Sequence, residues 1–278
     1  MPVAPAKTGF ARRRDGGRLY FEVGGPEGAP PLLLIRGLAR SSSYWLEFRE
    51  LLERERRLVV FDNRGVGRSD TPKLFWTTAD MADDAALVLE ASGVERADVF
   101  GISLGGMIAQ QLTLRHPHRV GRLVLACTSP GGPDAETLSP RAALALARAS
   151  RKGPRAAQAE NARWVLSPRY LEERPDIVDI WASIAESEPR SVRGLLGQVA
   201  AGARHDAWRL LPHLEHATLV LTGDADRLMP PANSERLARR LPNASLDYVR
   251  GAGHDFPTER PVETAERVLA FCRGPGTA

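Results

Sequence analysis

Ser103 is the side chain around which chemistry can be built. It stands in Gly101-Ile102-Ser103-Leu104-Gly105, the spacing of a nucleophile on a sharp strand-to-helix turn, where crowding two residues before and two after the serine leaves room only for glycine. Such a turn lifts the hydroxyl above the carboxyl edge of a sheet. It also aims the free N–H groups and positive end of the following helix at whatever the serine attacks. A serine hydroxyl is a poor nucleophile at neutral pH, so it needs a base within hydrogen-bond reach and the base needs an orienting carboxylate.

The elements around Ser103 fit that demand. Asp98-Val99-Phe100 reads as a short buried strand entering the turn, and the helix leaving it, to about His116, begins with the small residues Gly105, Gly106 and Ala109, which permit close packing on a sheet. Upstream, Gly9–Arg14 and Arg18–Val23 flank Asp15-Gly16-Gly17 as a hairpin. Pro31–Ile35 and Arg57–Phe61 are continuous apolar runs of the kind that form buried parallel strands. Between them Ser43–Arg54 places Tyr44, Trp45, Phe48, Leu51 and Leu52 on one helical face. The polar run 62–70 is a long loop, and Thr77-x-x-Asp80 is a capping box for a helix to Ser92. Val120–Ala126 is the strand after the elbow helix.

Strand and helix thus alternate from residue 31 to 126, which predicts a parallel sheet with helices on both faces. From 133 to 212 the alternation lapses into helical stretches punctuated by Pro140, Pro154, Pro168, Pro175 and Pro189. It resumes with strand Ala217–Thr222, helix Asn233–Arg240, strand Ala244–Val249 and helix Pro261–Cys272. A helical insertion in an α/β sheet reads as a lid over the site. The tail Arg273–Ala278 reads as disordered.

Composition bounds the rest. A chain of 278 residues suffices for one large α/β domain, or one with an insertion. The formal charge is +4, with acidic and basic residues interleaved in stretches such as 47–57, which argues against a nucleic-acid partner. Lysine occurs only at 7, 73 and 152, so arginine supplies all but three of the 38 basic residues, a skew that reads as genomic. Cys127 and Cys272 fall in no metal or redox spacing and read as small core residues of a reduced protein. There is no apolar run of membrane-spanning length, and residues 1–14 lack the apolar stretch of a signal peptide, so a cytoplasmic location is expected.

With elbow, alternation and insertion together, the chain resembles the α/β-hydrolase superfamily over nearly all of its length. Asp62-Asn63-Arg64-Gly65-x-Gly67-x-Ser69 is similar to the loop after the fourth strand in that family's esterases and lactonases, and the Gly101–Met107 run looks particularly like the elbows of enol-lactonases and cofactor-free haloperoxidases. The resemblance implies a mostly parallel eight-stranded sheet. Residues 1–132 and 213–278 would form the core, and 133–212 a helical cap inserted after the sixth strand. The family's chain order of serine, acid, histidine points to His254, in Gly251-Ala252-Gly253-His254 after the last strand, as the base. Of the other histidines, His116 and His118 end the elbow helix, and His205, His213 and His216 lie in or beside the lid.

Two aspartates, Asp224 and Asp226, compete as the acid; the family's pattern of glycine, two residues, aspartate and then proline four residues on matches Asp226, leaving Asp224 to turn the loop. Some relatives place the acid after the sixth strand, where Ala126, Cys127 and Thr128 offer no carboxylate. The oxyanion donors implied are the backbone N–H groups of Leu104 and of Leu38. Arg36 stands where the family more often has histidine, and it would hold a substrate carboxylate or form a salt bridge to a loop acid such as Asp62.

The implied activity is hydrolysis of a small or medium ester, lactone or similar acyl substrate through an acyl-enzyme, with no metal or organic cofactor. Alternatives are a C–C bond hydrolase or a haloperoxidase-type perhydrolase with the same triad, and, from another class, a receptor that kept the fold and lost turnover.

Overall fold

The hairpin forms first in the chain: β1 (Lys7–Arg12) and β2 (Arg18–Gly24) pair antiparallel from Lys7 opposite Val23 to Arg12 opposite Arg18, and Gly16 supplies the left-handed residue of the turn at φ 84°. Then follow β3 (Pro31–Ile35), α1 (Leu46–Leu52), β4 (Arg57–Phe61), α2 (Thr78–Ala91), β5 (Ala97–Ile102), α3 (Leu104–Arg115) and β6 (Val120–Ala126). The computed structural model describes residues 7–73, 75–132, 135–136, 140–149 and 151–274. Parts of the expected cap (133–134, 137–139 and 150) and tail (275–278), and residues 1–6 of the N-terminal segment, lie outside the described residues.

Between β6 and the next strand lie α4 (Pro140–Ala149), α5 (Pro154–Val165), α6 (Pro168–Glu173), α7 (Ile177–Ser187) and α8 (Val192–Ala203). Pro154 and Pro168 open α5 and α6, where a missing N–H costs nothing, so those prolines start helices as well as separating them. The two ends of this insertion meet in a β-bridge between Gly131 and Asp206. The core then resumes with β7 (Thr218–Gly223), α9 (Pro231–Arg240), β8 (Ala244–Val249), α10 (Phe256–Glu259) and α11 (Pro261–Arg273). Arg273, expected to begin the disordered tail, is the last turn of α11.

Among the described residues the eight strands form one sheet in the order β1-β2-β4-β3-β5-β6-β7-β8. The pairs β1/β2 and β2/β4 are antiparallel and the rest parallel. The apolar runs bury both faces because alternate residues point to opposite sides. Leu33, Ile35, Val59, Phe61, Val99 and Leu125 pack with α2, α3 and α9 on one face, while Leu32, Leu34, Leu58, Val60, Phe100 and Leu221 pack with α1 and α11 on the other. A third cluster belongs to the helical insertion: Ala162, Val165, Leu166, Tyr170, Ile177 and Trp181, joined from outside it by Tyr44.

That position of Tyr44 corrects one expectation. The stretch 43–54 is not a single helix: a 3₁₀ turn at Ser42–Trp45 is followed by Leu46 at φ 46°, the residue at which α1 begins. Both the N–H and the hydroxyl of Ser42 are held by Asp62 at 2.8 Å, which pins the entry. Trp45, Phe48 and Leu52 stay on the sheet, and Tyr44 turns toward the inserted helices. No described helix is long and apolar enough to cross a membrane.

Candidate active site

Ser103 sits at the carboxyl end of β5, in the middle of the parallel strands, with φ 58° and ψ −122°. A non-glycine residue stays in that region only when its surroundings hold it there. Here the Ser103 N–H bonds the Ala126 carbonyl at 2.9 Å, its carbonyl accepts from Gly106 N–H at 2.9 Å and from the Thr128 hydroxyl at 2.7 Å. The glycine requirement is steric and direct: a Cβ on Gly101 would collide with the Gly105 backbone, and one on Gly105 with the Ile35 carbonyl.

His254 and Asp226 come together from separate loops. The His254 Nδ1 lies 2.7 Å from Asp226 Oδ2, and both side chains are buried. The other carboxylate oxygen accepts from the Leu228 and Met229 N–H groups at 2.8 and 2.9 Å, which fixes its orientation. Burial alone would push the imidazole down, but the Asp226 charge and hydrogen bond outweigh it, so His254 titrates above its ordinary value. Nε2 is left as the ring nitrogen available to a serine. Among the described residues the Ser103 hydroxyl makes no hydrogen bond to His254 or Asp226.

Asp224 faces the other way: it accepts from Gly251 N–H at 2.6 Å and lies 3.4 Å from the Arg250 guanidinium, fastening the start of the loop that carries His254. His205 is buried against Thr78 and Gln110, and burial pushes it down to about 4, so it is a neutral core side chain.

Gly37 brings the loop after β3 against the elbow, since a Cβ there would lie 3.0 Å from Ser103 Cβ and 3.5 Å from Ser103 Oγ. Leu38 follows on this loop, and Leu104 opens α3. Among the described residues neither amide N–H has a hydrogen-bond partner, as donors reserved for a ligand oxygen would be.

Arg36 pairs with Asp255 and not with Asp62. Its Nη1 and Nη2 donate to the two Asp255 oxygens at 3.0 and 3.1 Å, and Nη2 also donates to the Tyr44 carbonyl at 2.8 Å, with the guanidinium over the Trp45 ring. Burial would raise the Asp255 pKa, but the Arg36 charge wins and holds it below the usual carboxylate range. Asp62 is taken by Ser42 and Arg68. The fork that could have gripped a substrate carboxylate is thus already engaged.

Several neighbours of the site went unread in the sequence. Cys127, assigned only to the core, is buried as such a residue should be, yet its Sγ, the Asp226 carboxylate and a His254 ring nitrogen all lie within 4.8 Å of one another. Burial and then the Asp226 charge push the thiol well above its ordinary value, so Cys127 stands beside the pair as a neutral thiol. Glu259 accepts from Gly253 N–H at 2.7 Å and from Ser167 N–H at 3.0 Å, tying the His254 loop to the start of α6. No local pattern marks these residues; each acts on a group far away in sequence.

The family model described as alpha/beta hydrolase fold matches residues 30–261. A Caulobacter vibrioides protein named as a carbamate hydrolase, RutD, is 30% identical over 264 residues, spanning 92% of this chain and 96% of that one. Among solved structures, a hydrolase from Pseudomonas aeruginosa PA01 is similar at TM-score 0.83 and 28% identity, covering 96% of this chain and 98% of its own. A thermophilic esterase from Thermogutta terrifontis is similar at TM-score 0.80 and 27% identity, covering 97% and 98%.

Proposed function

The chain belongs to the α/β-hydrolase fold family, and from that premise we propose that it is a serine hydrolase cleaving a small or medium ester, lactone or similar acyl substrate through an acyl-enzyme. The observation that carries this is the buried His254–Asp226 pair at 2.7 Å on the same sheet edge as the strained Ser103 turn. Ser103 Oγ attacks the acyl carbonyl while His254 Nε2 takes its proton. Asp226 keeps the proton on Nδ1 and stabilises the imidazolium. The carbonyl oxygen, now an anion, lies between the Leu38 and Leu104 N–H groups and the positive end of α3. His254 then gives its proton to the leaving group, and water reverses the sequence to free the acid.

The relative named as a carbamate hydrolase supports a carbamate as a second acyl class, attacked at the same kind of carbonyl. A fluorophosphonate probe should label native protein at Ser103 alone, and Ser103→Ala should abolish labelling. A panel of p-nitrophenyl esters, lactones and p-nitrophenyl carbamates then ranks the acyl classes. Folded protein that neither labels nor turns over any of them would favour the receptor reading.

A further inference from the structure

Gln198 of α8 is fully buried, and both ends of its amide are committed to the core: Oε1 accepts from the Ala39 N–H at 2.9 Å and Nε2 donates to the Arg64 carbonyl at 3.1 Å. The chemistry of the partners fixes this amide orientation, since a backbone N–H needs an acceptor and a carbonyl a donor. Arg64 is itself anchored by two bonds to Asp84, at 2.5 and 2.8 Å. The helix fits closely here. A Cβ on Gly194 would collide with the Gly65 backbone, and Gly202 faces Leu104 and Met107. The same helix therefore touches the loop after β3, the loop after β4 and the start of α3.

Ala39 stands at φ 56°, a region an alanine occupies only under constraint. The turn's own bond, from Arg40 N–H to the Gly37 carbonyl, is long at 3.4 Å, and Leu38 is exposed, so neither clamps the turn. The Gln198 bond is the shorter hold. The Gly37 carbonyl and the Leu38 N–H share one peptide plane, so a turn that relaxes rotates that N–H with it.

We infer that Gln198 is a positioning residue that transmits the seating of α8 to the direction of the Leu38 N–H, so that the oxyanion hole is complete only while this cap helix is docked. The inference rests on the proposed role of the Leu38 amide. It adds that a residue of the insertion, outside the triad, governs transition-state stabilisation.

The test uses the full-length protein and an activated p-nitrophenyl ester. Gln198→Met keeps the length of the side chain and removes both hydrogen bonds; kcat should fall about 10- to 100-fold, with KM within about twofold, as for a displaced oxyanion donor. Gln198→Glu keeps an acceptor for Ala39 and should retain more of kcat than Gln198→Met. Ala39→Gly in the Gln198→Met background should restore part of kcat, because glycine accepts the left-handed turn without strain. An unchanged kcat in Gln198→Met, or a loss confined to KM, overturns the inference. If circular dichroism shows that Gln198→Met does not fold, Gln198→Asn, too short to span both loops, is judged by the same split between kcat and KM. Wild-type labelling at Ser103 is scored separately, so failure of the triad reading is distinguished from failure of this one.

Discussion

Asp224 and Asp226 stand two residues apart on one loop, and their hydrogen bonds separate what each can do. Asp226 Oδ2 meets His254, whereas Asp224 holds Gly251. Asp226→Asn should keep the fold and lower turnover about 10⁴-fold by favouring the wrong imidazole tautomer. Asp224→Asn should instead cost about 1 kcal/mol of stability, the worth of one loop-closing hydrogen bond. Turnover and melting temperature for both variants decide the point; a dead Asp224→Asn beside a near-normal Asp226→Asn would reverse the assignment. The raised His254 pKa carries a pH signature. The base must be neutral, so the acid limb of kcat/KM should lie above about 6.5, the ordinary histidine value, and Asp226→Asn should move it down. The sign for stability follows: the protonated pair contributes fully below about 6.5, and that contribution is lost as pH rises through the folded value. An acid limb at or below that ordinary value would contradict the upward shift.

Between elements, the Arg36–Asp255 pair joins the end of β3 to the loop after β8, with Asp255 next in the chain to His254. Both side chains are nearly inaccessible, at 2% and 7%. Removing one partner strands the other charge, so Asp255→Asn should destabilise the fold by about 3–5 kcal/mol. Because the Asp255 pKa is depressed, its contribution is present above about 3.9 and lost as pH falls through the folded value. Arg36→Met should weaken neutral and acidic esters alike, since the guanidinium is already spent on Asp255 and the Tyr44 carbonyl. A loss confined to acidic esters, read from kcat/KM across a matched series, would restore a substrate-binding role for Arg36.

For the molecule as a whole, the helical insertion has an apolar cluster distinct from the two that flank the sheet, and the chain on its two sides is joined by the Gly131–Asp206 bridge. Exchanging the segment 133–212 for that of a relative should therefore reorder which ester chain lengths are hydrolysed while a short activated ester is still cleaved slowly; a folded chimera with the parent ranking would leave the cap a structural role alone. What the sequence determined by itself is whatever a few neighbouring residues decide. The apolar runs that become buried strands, the glycines two before and two after Ser103, and the Thr77–Asp80 capping box, with Asp80 N–H on Thr77 Oγ1 at 3.2 Å and Thr77 N–H on Asp80 Oδ2 at 2.8 Å, all answer to local sterics and periodicity. The tertiary structure alone decided the partners of Arg36 and Gln198, which lie 219 and 159 residues away in the chain, and the break that sends Tyr44 to the inserted helices and not to the sheet. The reason is physical: a charged or amide side chain can satisfy any of several partners, and which one it meets is set by the strand order that gathers remote loops at one edge of the sheet, not by anything within reach of its own segment.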